Sequence, residues 1–130
     1  MHALTALIID DSPDIRLTLS AMLRQQGLTV STANDGERGL AMARELQPDI
    51  ICLDLMLPTV SGLEVCSRLR ATAETANIPV IIVSARPFPQ DKAAAAQAGA
   101  DAFVSKPLDR QTVTSTVRSL LWRQRTAVGA

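Results

Sequence analysis

The sequence predicts an α/β protein built on one parallel sheet, and three observations carry that prediction. Short β-branched apolar runs alternate with stretches of helical periodicity along the chain, the pattern of βαβ units. Two of the runs, Ile50-Ile51-Cys52-Leu53 and Val80-Ile81-Ile82-Val83, are apolar at every position, as a strand covered on both faces requires. Polar residues stand just past these runs: Asp10 and Asp11 after Leu7-Ile8-Ile9, Asp54 after Leu53, Ser84 after Val83, and Lys106 shortly after Ala102-Phe103-Val104. Parallel strands would bring them to one edge of the sheet, the edge at which open α/β sheets bind ligands.

The elements follow in order. The first strand is expected from about Leu4 to Ile9. Ser12 and Pro13 open the first helix as N-cap and first helical residue. Ile15, Leu19, Met22 and Leu23 form its apolar stripe, and Gly27 closes it. Leu28 to Ala33 reads as a second strand, polar on alternate residues as an edge strand can be. Asn34-Asp35-Gly36 is a turn, and a helix runs from there to about Gln47, before Pro48. The third strand is Asp49 to Asp54. Ser61 and Glu64 form a capping box for a third helix over about Gly62 to Thr72. Pro79 to Ser84 is the fourth strand. The fourth helix, about Gln90 to Ala98, is nearly all alanine at its middle and buries little area. Gly99 ends it, Ala102 to Val104 is a brief fifth strand, and Asp109 caps a last helix with Val113, Val117, Leu120 and Leu121 inward. Residues 1–125 form one domain on this reading, and 126–130 a flexible C-terminal tail.

Bulk properties narrow the function. A chain of 130 residues is the size of one domain, and its 47% hydrophobic content is enough for a core. The formal net charge of zero offers no basic footprint for direct nucleic-acid binding. Only Phe88, Phe103 and Trp122 are aromatic, which weakens any reading based on base or flavin stacking. Cys52 and Cys66 match no zinc or redox spacing and read as buried thiols, as suits a reducing cytoplasm. No apolar run approaches the roughly 20 residues a membrane span needs.

Three carboxylates in one cleft repel unless one protonates or a cation sits among them. An oxygen-only set of Asp10, Asp11 and Asp54 suits a hard ion, Mg²⁺ above all. A cation beside a carboxylate points to phosphoryl chemistry, in which an aspartate can itself be the nucleophile. Lys106 is the lysine placed to neutralise the transferring group; Lys92, the only other, lies on the alanine-rich helix. Ser84 supplies a short hydroxyl able to bond a phosphoryl oxygen.

In these features the chain resembles the receiver domain of bacterial two-component response regulators. The likeness runs from about Leu4 to Leu121. It is carried by Asp10-Asp11, by Asp54-Leu55-Met56-Leu57-Pro58 with Gly62 beyond, by Ser84-Ala85, by Ala98-Gly99-Ala100-Asp101-Ala102-Phe103 and by Lys106-Pro107. It implies a flavodoxin-like, doubly wound sheet of five parallel strands in order 2-1-3-4-5 with five helices. It further implies that Asp54 is the phosphoacceptor, charged by a histidine kinase or phosphotransfer protein. Asp11, Asp54 and the Met56 backbone carbonyl would ligate Mg²⁺, with Asp10 acting through water. Lys106 would contact the phosphoryl group, and Pro107 would follow a cis peptide. Ser84 would move to the phosphoryl group while Phe103 turns inward, a two-state switch set by one modification.

The resemblance thus implies a signalling phosphoacceptor, not an enzyme beyond its own phosphorylation and dephosphorylation. The neutral charge and the absence of a long apolar run predict no direct nucleic-acid and no membrane partner. Output would run through a downstream protein at the fourth helix, fifth strand and fifth helix, with a homodimer on phosphorylation as a further expectation. Arg118, Trp122, Arg123 and Arg125 near the end could serve a partner or a linker, or be a solvated helix end. Arg86-Pro87-Phe88-Pro89 departs from the family pattern and predicts a stiff loop after Ser84. The competing enzyme reading is a Mg²⁺-dependent aspartyl-phosphate phosphohydrolase of haloacid dehalogenase type, although Met56 stands where those enzymes place a second acid. A flavodoxin-like FMN binder is a third class, opposed by the two acids where its phosphate loop should be.

Overall fold

The structure is a computed structural model that describes the backbone of residues 3–129 and the side chains of residues 3–122. The strands are β1 (Thr5–Ile9), β2 (Thr29–Ala33), β3 (Ile50–Asp54), β4 (Val80–Ser84) and β5 (Ala102–Ser105). They alternate with helices α1 (Pro13–Gln25), α2 (Gly36–Leu46), α3 (Gly62–Ala71), α4 (Pro89–Gln97) and α5 (Arg110–Gly129). All strand pairs are parallel, in the order β2-β1-β3-β4-β5. The expected topology is therefore the observed one. Boundaries shift by a residue, as element ends do.

Residues 126–129, expected as a tail, continue α5 in backbone, and Ala130 lies outside the described residues. The side chains of Arg123 and Arg125, named as candidate contacts, also lie outside them.

The pleat sorts each strand's side chains between two cores. Leu7, Ile9, Ile51, Leu53, Val80 and Ile82 pack toward Ala43, Val65, Leu69 and Ala95 of α2, α3 and α4. Ala6, Ile8, Ile50, Cys52, Ile81 and Val83 pack toward Leu19, Leu23, Val113 and Val117 of α1 and α5. Central strands buried on both faces explain the continuous apolar runs.

Helix starts are fixed by local chemistry. Ser12 Oγ accepts from the Ile15 N–H at 3.3 Å and Pro13 takes the first helical position. Ser61 Oγ accepts from Glu64 N–H at 3.2 Å, and Asp109 Oδ2 from Thr112 N–H at 2.9 Å. Asp35, read as a turn former, also caps α2 by accepting from Arg38 N–H at 2.8 Å. Such caps stabilise a helix by about 1 kcal/mol each.

Arg70 was not singled out by sequence, yet it ties the opposite edge of the sheet together. Its guanidinium donates to the carbonyls of Gly99, Ala76 and Ile78 and to Asp101 Oδ2, at 2.7 to 3.1 Å. The same Asp101 oxygen accepts from Val80 N–H at 2.9 Å, which locks the start of β4 to the chain entering β5.

At the site edge, Gly62 N–H donates to Leu55 O at 3.0 Å. A Cβ at position 62 would collide with the Asp54 carbonyl oxygen and lie 2.8 Å from Leu55 Cα. The obstacle is backbone, so it cannot rotate away. Gly62→Ala is expected to destabilise the domain by about 1–3 kcal/mol, the range for overpacking, measured by urea unfolding. An unchanged midpoint would show that the loop between β3 and α3 yields freely.

Candidate functional site

Strand register assembles the site. Ile9 pairs with Leu53, so Asp10 and Asp54, each the next residue, emerge side by side. Asp54 pairs with Val83 and Ser84 with Ser105, which sets Ser84 and Lys106 along the same edge. Asp10 N–H still bonds the Ala33 carbonyl at 3.1 Å and Lys106 N–H the Ser84 carbonyl at 2.7 Å, so both residues remain tied to the ladder.

Asp10 and Asp54 are only 2% and 5% exposed, whereas Asp11 is exposed. Lys106 Nζ lies 3.2 Å from Asp10 Oδ2 and 3.6 Å from Asp54 Oδ1, bridging the two buried acids. Asp10 Oδ1 accepts from Ser12 N–H at 2.9 Å, and Asp54 Oδ1 from Met56 N–H at 3.2 Å. Arg16, one turn into α1, donates to the Asp10 carbonyl at 2.8 Å. Sequence reasoning missed that bond because a side chain meeting a backbone oxygen leaves no motif.

Burial pushes the Asp54 carboxyl above its ordinary range, and the Asp10 carboxylate pushes the same way. The Met56 N–H and the Lys106 ammonium oppose them, and Asp11 adds a smaller upward push. The acceptor candidate is thus a carboxylate whose charge is disfavoured by its setting.

Ser84 is fully buried, and its Oγ accepts from Arg86 N–H at 3.0 Å. Phe103 is half-buried against the β-sheet core, with Lys92 Nζ 5.8 Å from its ring centroid. The Lys106-Pro107 bond is cis, as expected. The Met56 side chain is exposed beside the site. Both cysteines are buried and free; burial pushes the Cys52 thiol up to about 12, so it is inert.

The donor set fits a divalent ion. Asp10, Asp11 and Asp54 each offer an oxygen, and these lie within 4.8 Å of one another. Oxygens opposed across one Mg²⁺ stand about 4.2 Å apart, so a small contraction, or an intervening water at one acid, completes the match. The set contains no nitrogen or sulfur donor, as a hard cation prefers.

Acidic pair, buried acceptor candidate, hydroxyl and lysine on this sheet define the class. Residues 6–118 match the family model of the response regulator receiver domain, and the chain belongs to that family. It is a receiver domain of the kind found in two-component response regulators, which act as signalling proteins that work with histidine kinases and downstream targets. Over 117 residues it is 47% identical to the DNA-binding dual master transcriptional regulator RpaA of Synechocystis, covering 90% of this chain and 48% of RpaA. Over 115 residues it is 37% identical to protein PilH of Pseudomonas aeruginosa, covering 88% of this chain and 95% of PilH. Among solved structures, the receiver domain of the Pseudomonas aeruginosa sensor histidine kinase PA1611 superposes with a TM-score of 0.85 at 25% identity. That match covers 92% of this chain and 98% of the other, and the PA1611 domain holds a magnesium ion in its active-site cleft. The chain spans about half the length of most of the curated relatives it matches. None of these matches supports the haloacid dehalogenase alternative. Among the described residues no helix is long and apolar enough to cross a membrane.

The raised Asp54 carboxyl has a measurable consequence. A carboxyl protonated more readily in the folded chain than in the unfolded one costs stability once pH exceeds its folded value. Below the unfolded value, both states are protonated and the cost vanishes. In metal-free buffer Asp54→Asn is therefore expected to raise the melting temperature by a few degrees at pH 7. That gain should fade as pH falls through the carboxylate range; a gain that grows on acidification would contradict the assigned cause.

Proposed function

We propose that this chain accepts a phosphoryl group on Asp54 from the phosphohistidine of a histidine kinase or phosphotransfer protein, and that the modification changes its protein contacts. The observation that carries this reading is the convergence of Asp10, Asp11 and Asp54 with Lys106 at one sheet edge. An Asp54 carboxylate oxygen attacks phosphorus, the P–N bond to the imidazole breaks, and an acyl phosphate forms. Asp54 and Asp11, with the Met56 backbone carbonyl, would hold Mg²⁺ directly, and Asp10 would hold it through water. When bound, the ion supplies charge neutralisation at the phosphoryl oxygens. The magnesium in the PA1611 receiver supports that assignment.

Lys106 then exchanges partners. It now neutralises Asp10 and Asp54, and a phosphoryl group of roughly two negative charges offers it a stronger anion. Ser84 keeps a free donor: its Oγ accepts from Arg86 N–H, which leaves the hydroxyl proton available for a phosphoryl oxygen. Movement of Ser84 toward that oxygen makes room for Phe103 to turn inward, and the face of α4, β5 and α5 changes shape. That face meets the downstream protein or, on phosphorylation, a second copy of the chain. The formal charge of zero argues against direct nucleic-acid contact by this chain itself.

The test is incubation with acetyl phosphate and Mg²⁺, followed by intact mass. Wild type should gain one phosphoryl group, Asp54→Asn none, and chelation of the metal should abolish labelling. Labelling that survives in Asp54→Asn would move the acceptor elsewhere. Lys106→Ala should still be labelled, more slowly by about tenfold or more as an electrostatic contact is lost. It should also lose the change in hydrogen exchange over β5 and α4 that phosphorylation produces in wild type; retention of that change would remove Lys106 from the switch.

A further inference from the structure

Helix α4 is weakly anchored for an element beside the site. Ala95 is its buried residue, and its N-cap, Phe88, makes no side-chain capping bond. Backbone bonds from Asp91 and Lys92 N–H to the Phe88 carbonyl close its first turn, and the side chains there meet through charge. The Arg86 guanidinium lies 5.7 Å from the Phe88 ring centroid and 3.6 Å from Asp91 Oδ2. The pair is incomplete, because 3.6 Å is too long for a hydrogen bond, and Asp91 Oδ2 is a buried atom with no hydrogen-bond partner. A buried, under-bonded carboxylate oxygen is costly, so this contact is easily exchanged for a better one.

Arg86 also stands next to the proposed phosphoryl position. Its backbone N–H donates to Ser84 Oγ at 3.0 Å, so its side chain springs from one hydrogen bond away from the hydroxyl assigned to the phosphoryl group. Pro87 and Pro89 stiffen the backbone on either side of Phe88, so adjustment here falls to side chains such as Arg86. Half-exposed, it can swing.

We propose that Arg86 is a positioning residue shared between two anions: Asp91 on α4 while Asp54 is free, and the phosphoryl group once Asp54 carries one. Asp91 thereby sets how readily the site accepts a phosphoryl group, and release of Arg86 frees the first turn of α4 to move. The proposal rests on Asp54 being the acceptor. Guanidinium binds phosphoryl oxygens through parallel charge-assisted bonds, which the under-bonded Asp91 oxygen does not match.

The experiment is calorimetric titration of the full chain with beryllofluoride in Mg²⁺, a stable phosphoryl mimic, on wild type, Asp91→Asn, Arg86→Ala and the double variant. Asp91→Asn should tighten binding by about two- to fivefold, the range for a part-exposed ion pair, and Arg86→Ala should weaken it. In the Arg86→Ala background, Asp91→Asn should change nothing, and Asp91→Glu in the wild-type background should restore the wild-type affinity. Equal effects of Asp91→Asn in both backgrounds, or none in either, would overturn the exchange while leaving the acceptor assignment intact. Binding that is absent in wild type, or that survives in Asp54→Asn, would overturn both. Melting temperatures of the variants separate loss of folding from loss of coupling.

Discussion

The structure turns on one electrostatic contact: the Lys106 ammonium lodged between the buried carboxylates of Asp10 and Asp54. Burial and the neighbouring Asp10 carboxylate both oppose the charge of Asp54. Lys106 offsets part of that cost, and it can do so because Lys106 N–H is tied to the Ser84 carbonyl while Asp10 and Asp54 extend neighbouring strands. A site held by one ammonium shared between two acids is one whose balance a single added anion or cation can tip. That property, more than any individual residue, makes the sheet edge suited to signalling.

The rest of the fold divides into what resists that change and what yields to it. β1, β3 and β4 are sealed between two apolar cores, and Arg70 pins the far ends of β4 and β5 through four hydrogen bonds. Gly62 lets the α3 turn close against the Asp54 carbonyl, so the backbone at the proposed acceptor is fixed as well. By contrast α4 buries little, lacks a side-chain cap, and relies on Arg86, Asp91 and the Lys92–Phe103 contact. A rigid Asp54 beside a loosely held helix makes α4 the element with least to lose by moving.

Much of this was legible in the residues. The parallel arrangement followed from the alternation of runs and the strand order from the resemblance, and the expected cap residues Ser12, Ser61 and Asp109 act as caps. The site residues stood one or two positions past apolar runs, and register brings Asp10, Asp11, Asp54 and Lys106 together. The contacts of Arg70, Arg16 and Arg86 were not legible. Each joins a long side chain to a backbone oxygen or a carboxylate, and neither periodicity nor spacing records where a flexible cation ends.

Local chemistry along the chain was thus enough to settle the elements, the two-faced burial of the central strands and the acids and amine that the site would contain, because side-chain periodicity and turn chemistry are short-range. Distances, and which groups share a proton or a cation, are long-range properties. Only packing decided that Asp10 and Asp54 are buried while Asp11 is exposed. Packing likewise placed Lys106 between those two acids and left Asp91 with half a partner in Arg86. These depend on how far each strand end projects beyond its neighbours, and the chain acquires that geometry only when the sheet is assembled.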